Sequence, residues 1–202
     1  MRLLLTLLLI STVSSSAQPA KQPFKVPQPK DWGKETIALP PQFAMDMKWK
    51  GQEEIRFAPG MFTADAKDFF SYALLFWLPD DQKVDPKTME QELLAYYRGL
   101  AKAVSASRKK EVDAATFTLA LTEAKEKTGK RAGGEMFTAY VGELKWVEPF
   151  ATGKAQTLRF EIHVWANAKH KHTCVFICAS PQPESAEVWK LLREIRDGTT
   201  FE

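Results

Sequence analysis

The sequence predicts an α+β fold, an antiparallel sheet with helices packed on it in an α/β/α sandwich-like arrangement. Three observations carry this. Residues 157–166 alternate apolar and polar with period two, and a second β-rich run, 172–180, follows after a five-residue break, as in a hairpin. The run Phe69 to Leu78 is apolar at every position but Ser71, which suits a strand covered on both faces. Two stretches, one beginning at Pro86 and one near Glu184, place apolar residues at helical spacing.

In chain order, Met1–Ala17 reads as a secretory signal peptide. Arg2 is the charged start, Leu3 to Ile10 the apolar stretch, and Ser15, Ser16 and Ala17 the small residues before a cut. The apolar run is shorter than the ~20 residues a membrane span needs. Residues 18–31 carry Pro19, Pro23, Pro27 and Pro29 and read as an extended, solvated linker. A single domain is then expected over 32–202. Its elements are strands at Thr36–Leu39 and Glu53–Phe57, the turn at Pro59-Gly60, and the central strand 69–78. A helix follows with Asp85 as N-cap, Pro86 at its first position, and a stripe of Met89, Leu93, Tyr96, Leu100 and Val104. Arg108, Lys109 and Lys110 close it, as cations suit a helix C-terminus. Strands at Phe117–Leu121 and Phe137–Val147 flank a basic, glycine-rich loop at 127–134. That loop lacks the spacing and the following helix of a phosphate cradle. The last helix spans Glu184 to Arg196, with Val188, Leu191, Leu192 and Ile195 facing inward, and stops at Gly198.

With Ala168 and Lys169 at the hairpin tip, Val164 is expected opposite Thr173, Ile162 opposite Val175 and Phe160 opposite Ile177. The other face then pairs His163 with Cys174 and Trp165 with His172. Glu143 is expected against Arg159, or Lys145 against Glu161, keeping like charges apart. Tyr140, Leu144 and Trp146 join the apolar face. Cys174 and Cys178 lie four apart on one strand, roughly 13 Å, too far for a disulfide. They are expected as unpaired, buried thiols.

The chain has 202 residues, a hydrophobic fraction of 45% and a formal charge of +3. This is an ordinary globular composition with no long basic block, so nucleic acid is not the expected partner. No H-E-x-x-H, G-x-S-x-G, Walker or Cys-x-x-Cys motif occurs. All three histidines and both cysteines fall in 157–180. The candidate metal ligands are therefore His163, His172 and Cys174, with Glu161 or Glu143 adding oxygen. Imidazole and thiolate together suit zinc or copper. A histidine base for a small hydrolase would also have to come from this hairpin.

The order strand, strand, helix, several antiparallel strands, final helix resembles the PsbP-like α/β/α sandwich over roughly Trp32 to Phe201. The resemblance implies a non-catalytic module attached to a larger assembly, and it carries no site residue to this chain. The expectation is an exported soluble protein, secreted or periplasmic after cleavage near Ala17. Its expected role is a non-enzymatic binding or accessory module with a protein partner in the cell envelope. The metal-binding and hydrolase readings stand as alternatives.

Overall fold

The computed structural model describes residues 22–109 and 111–202. The signal-peptide reading of Met1–Ala17 lies outside the described residues. Strands β1 (Phe24–Lys25), β2 (Gly33–Leu39), β3 (Gly51–Phe57) and β4 (Tyr72–Pro79) precede helix α1 (Pro86–Ser107). Strands β5 (Thr118–Lys130), β6 (Met136–Val147), β7 (Ala155–Asn167) and β8 (His172–Ser180) come next. Helix α2 (Glu187–Asp197) and β9 (Thr200–Phe201) complete the chain. Seven strands form one sheet in the order β2-β3-β4-β8-β7-β6-β5, every neighbour antiparallel, while β1 and β9 pair separately.

Strand β4 sits near the centre because it has no polar face. Leu74, Phe76 and Leu78 point to the α1 side and Ala73, Leu75 and Trp77 to the α2 side, all buried. Each helix covers one of these faces, which makes three layers and bears out the expected fold class. Asp85 caps α1 by accepting from the Thr88 amide at 3.0 Å, with Pro86 at the first turn as expected. The buried stripe of α1 turns partway along. It runs through Met89, Leu93, Tyr96 and Tyr97 to Ala101 and Ser105, not to Leu100 and Val104. On the other edge of this face Gly99 abuts the backbone of Phe43 and Ala44, in the Gln42–Ala44 turn. Helix α2 begins at Glu187, three residues later than expected, and its buried face includes Trp189 beside Val188, Leu192 and Ile195. The Trp189 indole donates to the Gln182 carbonyl at 3.0 Å.

The hairpin register differs from expectation by two residues. Asn167 pairs with His172, so the loop holds four residues, Ala168–Lys171, with Lys171 in the left-handed region at φ 53°. Val164 faces Val175, Ile162 faces Ile177 and Phe160 faces Ala179. An even shift keeps every side chain on its expected face, so apolar still meets apolar while each named pair changes. Glu143 pairs with Arg159, one of the two alternatives, and Lys145 pairs with Thr157. Strand β5 also runs well past Leu121. Four residues, 124–127, bulge out against a single partner position on β6, and pairing resumes at Thr128. The glycine-rich turn thereby shortens to 131–135. Arg131 pins it, donating to the Thr199 carbonyl at 2.7 Å and lying over the Trp165 ring at 4.1 Å.

Over its described residues, 22–31, the proline-rich stretch is a packed strap and not a solvated linker. Phe24 and Val26 are buried with Trp32 on the α2 face. The Arg56 guanidinium holds the strap by donating to the carbonyls of Val26 (2.9 Å) and Pro27 (3.2 Å), and it is neutralised by Glu54 at 2.6 Å. Prolines remove backbone donors without preventing side-chain burial, so the composition hides the packing.

Candidate functional site

The hairpin residues singled out by sequence all project to the α2 side, yet the register separates them. His163 lies opposite Phe176, not Cys174, which becomes a diagonal neighbour about 7–8 Å away. Its ring stacks on Phe137 with centroids 3.9 Å apart. Burial, with Arg196 adding to it, pushes the imidazole down to about 3, so the ring is neutral at physiological pH. Cys174 faces Trp165 and is fully buried, and burial holds its thiol well above the usual range. The Cys178 thiol, equally buried, is pushed up to about 12. Both cysteines are free and unbridged, as expected. His172 stacks on Trp77 at 4.4 Å and donates from Nδ1 to the His170 carbonyl at 2.6 Å. His170 donates from Nε2 to the Glu202 carbonyl at 2.8 Å. Glu161 is taken by Arg193, whose Nε lies 3.0 Å from Oε2, with Arg196 at 3.5 Å. Among the described residues no three His, Cys, Asp or Glu side chains converge in metal-binding geometry.

A different surface is built at the end of the sheet where β3 ends, β4 starts, β6 ends and β7 starts. Two loops meet there. The first, residues 58–71, is a chain of tight turns. Thr63, Ala66 and Phe69 donate to the carbonyls of Gly60, Thr63 and Ala66, and the Phe70 amide returns to Met61 at 3.1 Å. The Asp68 carboxylate accepts from the Gly60 amide at 3.0 Å, closing the loop on itself. The second, residues 148–154, winds around the buried carboxylate of Glu148. That carboxylate accepts from the amides of Phe150, Ala151 and Thr152 and from the Thr152 hydroxyl. Such convergence of donors on one carboxylate fixes a loop that would otherwise fray. The Arg108 guanidinium at the end of α1 donates to the Phe150 carbonyl and ties the helix to this loop.

Phe70 joins the two loops. It is 1% exposed and packs on Trp146 (5.1 Å) and Phe150 (5.5 Å). Its φ of 47° puts a bulky side chain in the left-handed region, which costs about 1–3 kcal/mol and persists because its surroundings hold it. Outward from this anchor, Phe150 meets Phe62 at 5.4 Å, and Phe62 meets Phe57 at 6.5 Å. Phe62 is 58% exposed. Open clefts of about 370 Å³ lie nearby, one between Lys102 and Asp113 and one beside Trp146 and Gln156. The surface therefore offers an aromatic knob on loops held by their own hydrogen bonds.

Sequence reasoning missed this surface. Phe62 and Phe150 lie in loops, where no periodicity marks them. Asp68 and Glu148, the acids that organise the two loops, are not marked in the sequence either, because their partners are backbone amides. No protein-family model, curated protein or solved structure matches this chain.

Proposed function

We propose that this chain is an exported, non-enzymatic accessory module of the cell envelope that binds a protein partner through Phe62 and the two loops around it. The observation that carries this reading is the presentation of Phe62. A large aromatic ring is held 58% exposed on a loop already fixed by its own hydrogen bonds. Aromatic side chains supply a large share of binding energy at interfaces, and a loop ordered in advance does not lose that energy to ordering. The strain at Phe70, directly behind the knob, fits a site whose local conformation serves something other than stability. The element order shared with PsbP-like sandwiches supports the same reading by analogy.

A photo-crosslinking amino acid placed at Phe62 in the native host tests it. Position 136 is the control, since Met136 is similarly exposed, at 62%, at the start of β6 at the other end of the sheet. One discrete crosslinked protein from position 62, absent from position 136, is the expected result. Crosslinks of equal yield and identity from both positions, or none from position 62, would overturn the reading.

A further inference from the structure

Glu53 stands in the middle of β3 and points into the layer between the sheet and α1. It is 0% exposed. Its cross-strand neighbours are Ile37 on β2 and Phe76 on β4. Oε1 accepts from the Tyr96 hydroxyl at 3.2 Å, and Oε2 has no partner. The facing groups come from three sides. Strand β2 supplies Glu35, a diagonal neighbour on the same face. Helix α1 supplies Tyr96 and, behind it, Tyr97, whose hydroxyl meets that of Tyr72 from β4. The Gln42–Ala44 turn supplies Phe43, edge-on to Tyr96. Glu92, one turn earlier on α1, is occupied by the amides of Lys48 and Trp49. None of these is a cation. The nearest basic residue on β3, Arg56, points to the opposite face with Glu54.

A buried carboxylate with no counter-ion is far more costly than a buried carboxylic acid. To ionise, Glu53 needs water, and the edge of the sheet lies one strand away. Strand β2 is that edge. It is bonded to β3 alone, and most of its residues are exposed.

We infer that Glu53 is a proton-dependent latch on the β2 edge: the strand stays docked while the buried carboxyl keeps its proton, and each opening releases that proton, so β2 loosens as the solution becomes less acidic. Burial, with the neighbouring Glu35 adding to it against the Tyr96 hydrogen bond, raises the docked carboxyl from 4.5 to about 8. Once hydrated in the open state, the group returns to its ordinary value. Between those limits one proton leaves per opening, and the open population rises about tenfold per pH unit, levelling above about pH 8.

Native-state hydrogen exchange from pH 5.5 to 8, corrected for intrinsic chemistry, tests this. The bonded amides of 33–39 should lose about tenfold in protection per pH unit, while staying less protected than those of β8 throughout. The opposite edge, residues 118–123 of β5, can open without uncovering Glu53 and should show no such slope. In Glu53→Gln the slope at 33–39 should vanish. Flat protection at 33–39 in the wild type, the same slope at 118–123, or protection at 33–39 equal to that of β8 at every pH would each overturn the latch. The carbon-13 carboxyl shift of Glu53 in the wild-type chain gives a readout that does not depend on the variant folding. A midpoint near the ordinary 4.5 would overturn the inference, and one near 8 is expected.

Discussion

Replacing Glu53 with glutamine should change how stability depends on pH, and the size of the change follows from the structure. The folded carboxyl is raised from 4.5 to about 8, mainly by burial. Between those values the unfolded chain has released a proton that the folded chain still holds. Stability therefore falls as pH rises through this window and levels above about pH 8. At about 1.4 kcal/mol per pH unit, the wild type has lost about 3 kcal/mol at pH 7 relative to its acid limit. Glutamine carries no titrating proton, so this loss disappears. Its amide, however, adds a buried donor beside Oε2's orphaned position, at a cost of about 1–3 kcal/mol at every pH. The variant should be the less stable protein at pH 5 and the more stable at pH 8, gaining about 3 kcal/mol on the wild type over that interval. Urea unfolding of both chains at pH 5, 6, 7 and 8 measures the difference directly, because every other titrating group is shared. A difference that stays constant across the series would refute the reasoning.

Other consequences follow from single contacts. Arg56→Ala removes both bonds to the strap and leaves Glu54 buried without its cation, each side chain being 6% exposed in the pair. A loss of about 3–5 kcal/mol is expected in chemical denaturation, with new proteolytic cleavage after Lys25 or Lys30. Gly99→Ala should destabilise, although the same change in an open helix gains up to about 1 kcal/mol. A Cβ there would collide with the Phe43 carbonyl, and thermal melting should show a loss of about 1–3 kcal/mol. The buried thiols of Cys174 and Cys178 should resist a thiol reagent in the native protein and titrate as two groups per chain on unfolding.

The parts of the fold that were legible in the sequence are those where a period meets a face. Residues 157–166 and the run into β4 displayed their burial directly, and Asp85-Pro86 marked the start of α1. Register was less legible for a physical reason. A two-residue slip preserves both faces of a strand, so the alternation that identifies the hairpin cannot distinguish Ala166↔Thr173 from Val164↔Thr173. The decisive detail, a four-residue loop with Lys171 at positive φ, leaves no strong sequence mark because Lys is not a typical left-handed residue. The candidate hairpin site depended on that register, and the shift put Phe176 where Cys174 was expected. The placement of Glu53 is legible in the strand period. In Glu53-Glu54-Ile55-Arg56 the strand period puts Glu53 on the apolar face with Ile55 and leaves Glu54 and Arg56 to pair on the other. Phe62 and Phe150 were out of reach, since only the meeting of two distant loops brings them together.

The most direct test of the binding-module account is the affinity of the partner captured at position 62 for the purified chain and for Phe62→Ala. Phe62 is more than half exposed, so the substitution should leave the unfolding midpoint nearly unchanged, within about 0.5 kcal/mol. Titration calorimetry should nonetheless show binding weakened at least tenfold, or about 1.4 kcal/mol, as for an interface anchor. Equal affinity for the two chains, with the fold intact, would contradict the account.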